Sequence, residues 1–274
     1  MSRSDPQPRK HEEMITRVVE VCSADDRIAA VFLGGSVARG EADAYSDIDL
    51  CFIVADDSYP DVISGREAFV RQIGDPLFVE DFGNEHMAFA ILADGTDLEL
   101  HFFRAGDLRS ITSGPHRVLL DEDGILTGIE FPVPEVDPAT QVGSLRQILF
   151  WFWHDLAHFT AAVGRDQLWW AAGQLEQLRH YCVNLVRIDQ GGAPEGEPYW
   201  KLDAEISTEP LDALRSTFCP MERGDLLRAG RDVVAFFRER APGVARSHGL
   251  RYPRELDRLV SGHLDDLGAD PSQS

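Results

Sequence analysis

Between Phe131 and Pro138 the chain reads FPVPEVDP. Three prolines in seven residues exclude a regular element across this stretch, because each ring fixes φ and removes a backbone donor. The hydrophobic pattern changes there. Before the break, Ile28–Leu33, Ile48–Val54, His86–Leu92 and Asp97–Phe103 read as strands. The last two flank Ala93-Asp94-Gly95-Thr96, a hairpin turn with Asp-Gly at its centre. Met14, Ile15, Val18, Val19 and Cys22 mark one helical face, and Val62, Ile63, Phe69, Val70 and Ile73 another. Residues 1–9 are polar and expected to fray. Beyond the break, apolar residues recur at spacings of three and four over about 140–163, 167–189, 203–217, 221–240 and 253–266, which predicts helices. Gly191-Gly192 closes the second of them. The expected fold is an α/β (α+β) domain with a mixed sheet over 1–134, then an all-α helical bundle over 135–274. A cleft between two such domains is a usual place for a substrate.

Charge narrows the partners. The 274 residues include 26 Lys and Arg against 47 Asp and Glu, a net charge of −21. Proteins that grip polynucleotides neutralise phosphates with clustered Lys and Arg, so nucleic acid is not an expected partner, nor is an anionic membrane. A cationic small molecule is attracted instead. The only lysines are Lys10 and Lys201, which singles out Lys201 as a candidate phosphate contact. Cys22, Cys51, Cys182 and Cys219 form no CxxC pair; the first three, in apolar stretches, read as small buried hydrophobes in a reducing compartment. No run approaches 18 apolar residues, and MSRSDPQPRKHEE has no apolar signal-peptide core. A cytoplasmic location is expected.

The segment richest in chemistry is Leu33-Gly34-Gly35-Ser36-Val37-Ala38-Arg39-Gly40, followed by Ser46-Asp47-Ile48-Asp49-Leu50. A strand ending in two glycines lets backbone approach a ligand without a Cβ in the way. Ser36 opens a helical turn whose free N–H groups and hydroxyl suit a phosphate, and Arg39, one turn on, adds charge to the same anion. Asp47 and Asp49, two apart at a strand start, point to one face. Side-by-side carboxylates repel, and a divalent cation relieves them. Asp97, Glu99 and His101 share a face of a later strand; Glu99, central, is the expected third carboxylate, and Asp97, nearer the turn, is expected to be solvated.

GGSVARG followed by SDIDL, with a later acidic strand, resembles the signature of the polymerase-β-like nucleotidyltransferase superfamily over roughly residues 28–103. The helical half, with its closing FFRERAPGVARSHGLRYP, is similar to the antibiotic-modifying branch of the kanamycin nucleotidyltransferase kind. The resemblance implies a nucleotidyltransferase that moves AMP from Mg-ATP onto a hydroxyl. Gly35, Ser36 and Arg39 would bind phosphates, and Asp47, Asp49 and Glu99 would hold two Mg²⁺ ions. Two such ions, roughly 3.5–4 Å apart, clamp the attacking and leaving oxygens of an in-line displacement. A separate base takes the proton from the acceptor. In this branch it is a carboxylate of the helical domain. Asp155 in FWFWHDLAHF is the first candidate and Glu176 in GQLEQLRHY the second.

The expected acceptor is a small hydroxylated, cationic molecule such as an aminoglycoside, with antibiotic resistance the implied role. Two other readings stand beside it: AMP transfer onto a protein, as in toxin–antitoxin nucleotidyltransferases, and a nucleotide-binding module without turnover. Small size and the lack of a long helical domain in the former, and the intact acidic triad against the latter, separate them. Trp151, Trp153, Trp169 and Trp170 read first as helix packing and second as stacking surface for a sugar or base. His154-Asp155-Leu156-Ala157-His158 is a near miss to the zinc motif HExxH, with Asp in place of Glu and no third ligand following; its histidines read as core or cleft residues. The oligomeric state is not legible.

Overall fold

A computed structural model describes residues 7–133, 135–194 and 196–267. The chain divides into two compact units, Met1–Glu135 and Val136–Ser274.

The first unit contains α1 (Gln7–Cys22), β1 (Ile28–Leu33), α2 (Gly35–Arg39), β2 (Ile48–Val54), α3 (Tyr59–Ser64), α4 (Arg66–Ile73), β3 (Pro76–Glu80), β4 (Met87–Leu92), β5 (Asp97–Arg104) and β6 (Arg117–Leu120). The strands form one sheet in the order β3-β4-β5-β2-β1-β6. It is mixed: β2 and β5 run parallel, and the other pairs are antiparallel. The central strands are apolar on both faces because both are covered. Val31, Leu33, Leu50 and Phe52 pack with Met14 and Val18 of α1 and with Phe69 and Val70 of α4. Ala30, Phe32, Cys51 and Ile53 pack on the other side with Ile111, Leu126 and Phe131. Two-sided burial makes these strands continuous apolar runs rather than alternating ones.

The strands that the sequence pattern did not mark, β3 and β6, are the two edges. Edge strands need little apolar alternation, and a proline at the first residue, as at Pro76, is tolerated there. The helix expected around Val62–Ile73 is two helices meeting at Gly65. The expected frayed start lies mostly outside the described residues; from Gln7 on, the chain is already helical.

The second unit is wholly helical: α5 (Pro138–Gly164), α6 (Leu168–Asp189), α7 (Leu202–Glu205), α8 (Thr208–Arg215), α9 (Arg223–Ser247) and α10 (Arg254–Asp266). The last proline of FPVPEVDP starts the first of them. Pro138 occupies the first turn of α5, and the Asp137 carboxylate accepts from the backbone N–H groups of Ala139 and Thr140, at 3.1 and 3.0 Å. Proline fits this position because its missing N–H would have no intrahelical partner anyway. The helix expected over 203–217 is broken at Ile206-Ser207. Pro210 cannot donate to the preceding turn, so it sits in the first turn of a new helix. α9, by contrast, runs through Pro242 to Ser247, seven residues past the expected end. Buried Ala241, Val244 and Ala245 hold this last stretch against the core.

That core is aromatic. Phe152 stacks on Phe237 with centroids 3.7 Å apart, and Trp153 packs edge-on to both. Gly230 of α9 makes room for Phe159: a Cβ at Gly230 would lie 2.4 Å from the Phe159 ring. Gly230→Ala should therefore destabilise the protein. Alanine gains about 1 kcal/mol of helix propensity, but overpacking a fully buried ring costs about 1–3 kcal/mol. The expected net is a melting temperature lower by a few degrees, read by calorimetry; a rise would contradict this packing.

Candidate active site

The site of the first unit grows from the end of β1. Gly34 donates its N–H to the carbonyl of Asp49 at 3.0 Å, which ties the turn to β2. Gly35 has φ +56°, and a Cβ there would fall 1.7 Å from Oδ2 of Asp49. Only glycine permits both the backbone angle and the carboxylate. Ser36 follows in the first turn of α2. Its Oγ is buried and has no hydrogen-bond partner among the described residues. Burying a hydroxyl unpaired is costly, so this atom fits an oxygen-bearing ligand.

The parallel pairing of β2 and β5 sets Asp49 directly opposite Glu99. Asp47, just before β2, completes the group: carboxylate oxygens of Asp47, Asp49 and Glu99 all lie within 4.8 Å of one another. Burial, then the charges of Asp47 and Glu99, push the Asp49 carboxyl up to about 6, with His101 and Arg39 opposing. The same forces raise exposed Asp97, with burial first and then Asp47 and Glu99. Three hard oxygen donors that repel each other are a donor set suited to Mg²⁺.

A cavity of about 440 Å³ opens beside the triad. Its walls include Gly34, Gly35, Cys51, His101 and Phe103, with Ser110–Ser113 at one side. His101 Nε2 lies 3.0 Å from Glu99 Oε1, and its ring is parallel to that of Phe103. Cys51, Phe103 and Ser110–Ser113 carried no motif. The first two were within reach of period-two reasoning, since Cys51 follows Asp49 by two and Phe103 follows His101 by two. Arg39 is engaged by its neighbour: its Nε donates to Glu41 at 2.7 Å.

The other candidates belong to the helical unit. Asp155 lines a groove of about 580 Å³ between α5 and α6, together with Gln147, Trp151, Gln177 and Tyr181. Its Oδ2 accepts from the Tyr181 hydroxyl at 2.8 Å, and its Oδ1 lies 2.8 Å from His154 Nδ1. Burial, then the Asp155 contact, push the Tyr181 hydroxyl up to about 12, so it stays a donor. Glu176 stands differently. Burial raises its carboxyl, but Arg179, Tyr199 and His180 outweigh this and hold it below the usual range. Arg179, itself buried, donates to Glu176 at 2.5 and 3.0 Å and to the Thr217 carbonyl at 3.0 Å. Lys201 has φ +52° and places its ammonium 4.0 Å from the centroid of the Trp200 ring. Of the four tryptophans read together in the sequence, Trp153 is fully buried, while Trp151, Trp169 and Trp170 are exposed.

No curated protein sequence matches the chain. Among solved structures it is similar to an aminoglycoside 6-adenyltransferase from Bacillus subtilis, at 17% identity and TM-score 0.42, over 94% of this chain and 98% of that one. It is also similar to a nucleotidyltransferase-like protein from Exiguobacterium sibiricum, at 10% identity and TM-score 0.40, over 86% and 77%. The streptomycin adenylyltransferase family model matches residues 8–267. That match spans both units, and the protein belongs to the streptomycin adenylyltransferase family of nucleotidyl-transferring enzymes.

Proposed function

We infer that the protein moves AMP from Mg-ATP onto a hydroxyl of a small cationic acceptor of the aminoglycoside type and releases pyrophosphate. The observation that carries this reading is the group Asp47, Asp49 and Glu99 beside the unpaired Ser36 hydroxyl. These three carboxylates would hold Mg²⁺, which when bound neutralises charge that builds on the phosphates. Backbone N–H groups after Gly34 and the Ser36 hydroxyl bind the triphosphate, and Arg39 adds charge on exchanging its Glu41 partner. Lys201, occupied by Trp200, is left as a secondary phosphate contact.

Asp155 takes the proton from the acceptor hydroxyl. It is preferred to Glu176 because Glu176 is the counter-ion of a buried arginine, and a carboxylate held down by a cation is a poor base. Tyr181 and His154 orient Asp155 from two sides. The groove around it has the chemistry of an aminocyclitol or sugar site: amides of Gln147 and Gln177 for hydroxyls and the half-exposed Trp151 ring for an apolar sugar face. A chain charge of −21 draws a polycation, and the family name points to the same acceptor class. The biological role that follows from this reading is antibiotic resistance, exercised in the cytoplasm where ATP is supplied. No helix among the described residues is long and apolar enough to cross a membrane.

Asp49→Asn should leave the fold intact and lower pyrophosphate release at least ~10³-fold, since several kcal/mol of charge stabilisation is lost. The same variant tests the electrostatics. In the metal-free protein Asp49 binds its proton more tightly folded than unfolded. That contribution is full below about pH 4 and is lost as pH rises through about 6. Metal-free wild type should thus lose melting temperature between about pH 4 and about pH 6 relative to Asp49→Asn, and Mg-ATP should restore it. Glu99→Gln should be at least as stable without metal and respond less to Mg-ATP. A folded Asp49→Asn protein with near-normal turnover would overturn the assignment.

Asp155→Asn should lower kcat by roughly 10²–10⁴-fold, the usual worth of a general base, with ATP affinity little changed. Glu176→Gln should instead lower the melting temperature, because Arg179 stays buried without its counter-ion. The reverse outcome, full kcat in Asp155→Asn and loss in Glu176→Gln, would move the base to α6.

A further inference from the structure

The transfer reading uses Asp155 and, through its Nδ1, His154 as an orienting partner, but leaves His154 Nε2 and the whole of His158 without a task. Both histidines are exposed on the side of α5 opposite its core residues Phe152, Leu156 and Phe159. One turn apart, they face each other: His154 Nε2 lies 3.4 Å from His158 Nε2. Two nitrogens each about 2.05 Å from one ion, at the tetrahedral angle, stand about 3.3 Å apart. The spacing present is therefore that of two cis ligands on a tetrahedral ion.

A second observation sets the tautomer. His154 Nδ1 lies 2.8 Å from the Asp155 carboxylate, an acceptor only. The proton of a neutral His154 therefore resides on Nδ1, and the Nε2 lone pair points outward towards His158. A carboxylate behind an imidazole is the usual outer partner of a metal-bound histidine, fixing the ring and raising its basicity. The Tyr181 hydroxyl holds Asp155 from its other oxygen and stiffens the arrangement.

We propose that His154 and His158 form an exchangeable site for a nitrogen-preferring, tetrahedral dication of the zinc class, with Asp155 as its outer partner. Among the described residues no third histidine, cysteine or carboxylate completes the set, so the remaining positions are open to water or to a donor atom of a ligand. Mg²⁺ prefers oxygen and is not a competitor here. The site is distinct from the carboxylate triad in both location and donor type. It lies between two tryptophans, with Trp151 4.7 Å from His154 and Trp170 5.8 Å from His158, centroid to centroid.

The test uses the full chain with saturating Mg²⁺. Zn²⁺ is titrated by calorimetry, and Co²⁺ by its visible spectrum. Cu²⁺ is followed by quenching of tryptophan emission. The expected result is one equivalent of Zn²⁺, a tetrahedral Co²⁺ spectrum, and quenching that is lost in part in Trp151→Phe and Trp170→Phe. His154→Gln and His158→Gln should each weaken binding at least ~10-fold, and Asp155→Asn roughly 10-fold through the outer partner. Asp49→Asn, which alters only the triad, should titrate as wild type. Zn²⁺ binding unchanged in the His154→Gln, His158→Gln double variant would overturn the proposal, as would its loss in Asp49→Asn.

Discussion

Three carboxylates held within 4.8 Å of one another are a state that water would disperse, and much of the first unit exists to maintain it. The parallel β2–β5 pair fixes Asp49 against Glu99. Apolar residues on both faces of β2 lock that register, since a slip by one residue would turn Asp49 into the core. The Gly34-Gly35 turn closes the space from the third side, and at Gly35 even a methyl group would displace the carboxylate. The cost of the cluster appears in the raised Asp49 carboxyl. Charge of opposite sign would remove that cost, so the geometry that strains the three carboxylates suits a divalent cation.

The helical unit solves a different problem. α5 must bury one face and present chemistry on the other. Phe152, Trp153, Leu156 and Phe159 fill the core, while Trp151, His154, Asp155 and His158 fall on the far side by helical period. A rigid aromatic core thus positions a polar row. The contrast between Asp155 and Glu176 follows from what each one faces. Asp155 meets a hydroxyl and an imidazole at the edge of a groove, whereas Glu176 neutralises Arg179 and so belongs to the framework.

Much of the candidate site was legible in the sequence, because the features that define it are local. GGS at a strand end, Asp-x-Asp at a strand start and alternating acids on a later strand each follow from backbone period, and β1 and β2 have the bounds that their apolar runs mark. The strand pairing that joins Asp49 to Glu99 is non-local, yet the repulsion argument called for a third acid and pointed to that residue. What escaped depended on tertiary context. Edge strands β3 and β6 are short, and their apolar residues run together without the period-two alternation that marks a strand. Pro138 and Pro242 sit inside helices because a cap and a packed face support them. The role of Glu176 turned on Arg179, three residues away on the same helix, whose burial no sequence pattern announced.

The central claim is transfer of AMP to a small cationic hydroxylated acceptor. It is tested most directly by incubating the wild-type protein with Mg-ATP and a panel of aminoglycosides, neutral sugars and proteins, then following pyrophosphate release and the mass of each acceptor. The expected result is pyrophosphate released only with an aminoglycoside present, in step with an acceptor heavier by one AMP and blocked by removing Mg²⁺. AMP found on a protein acceptor instead, or no acceptor-dependent pyrophosphate from a folded enzyme that binds ATP, would contradict it.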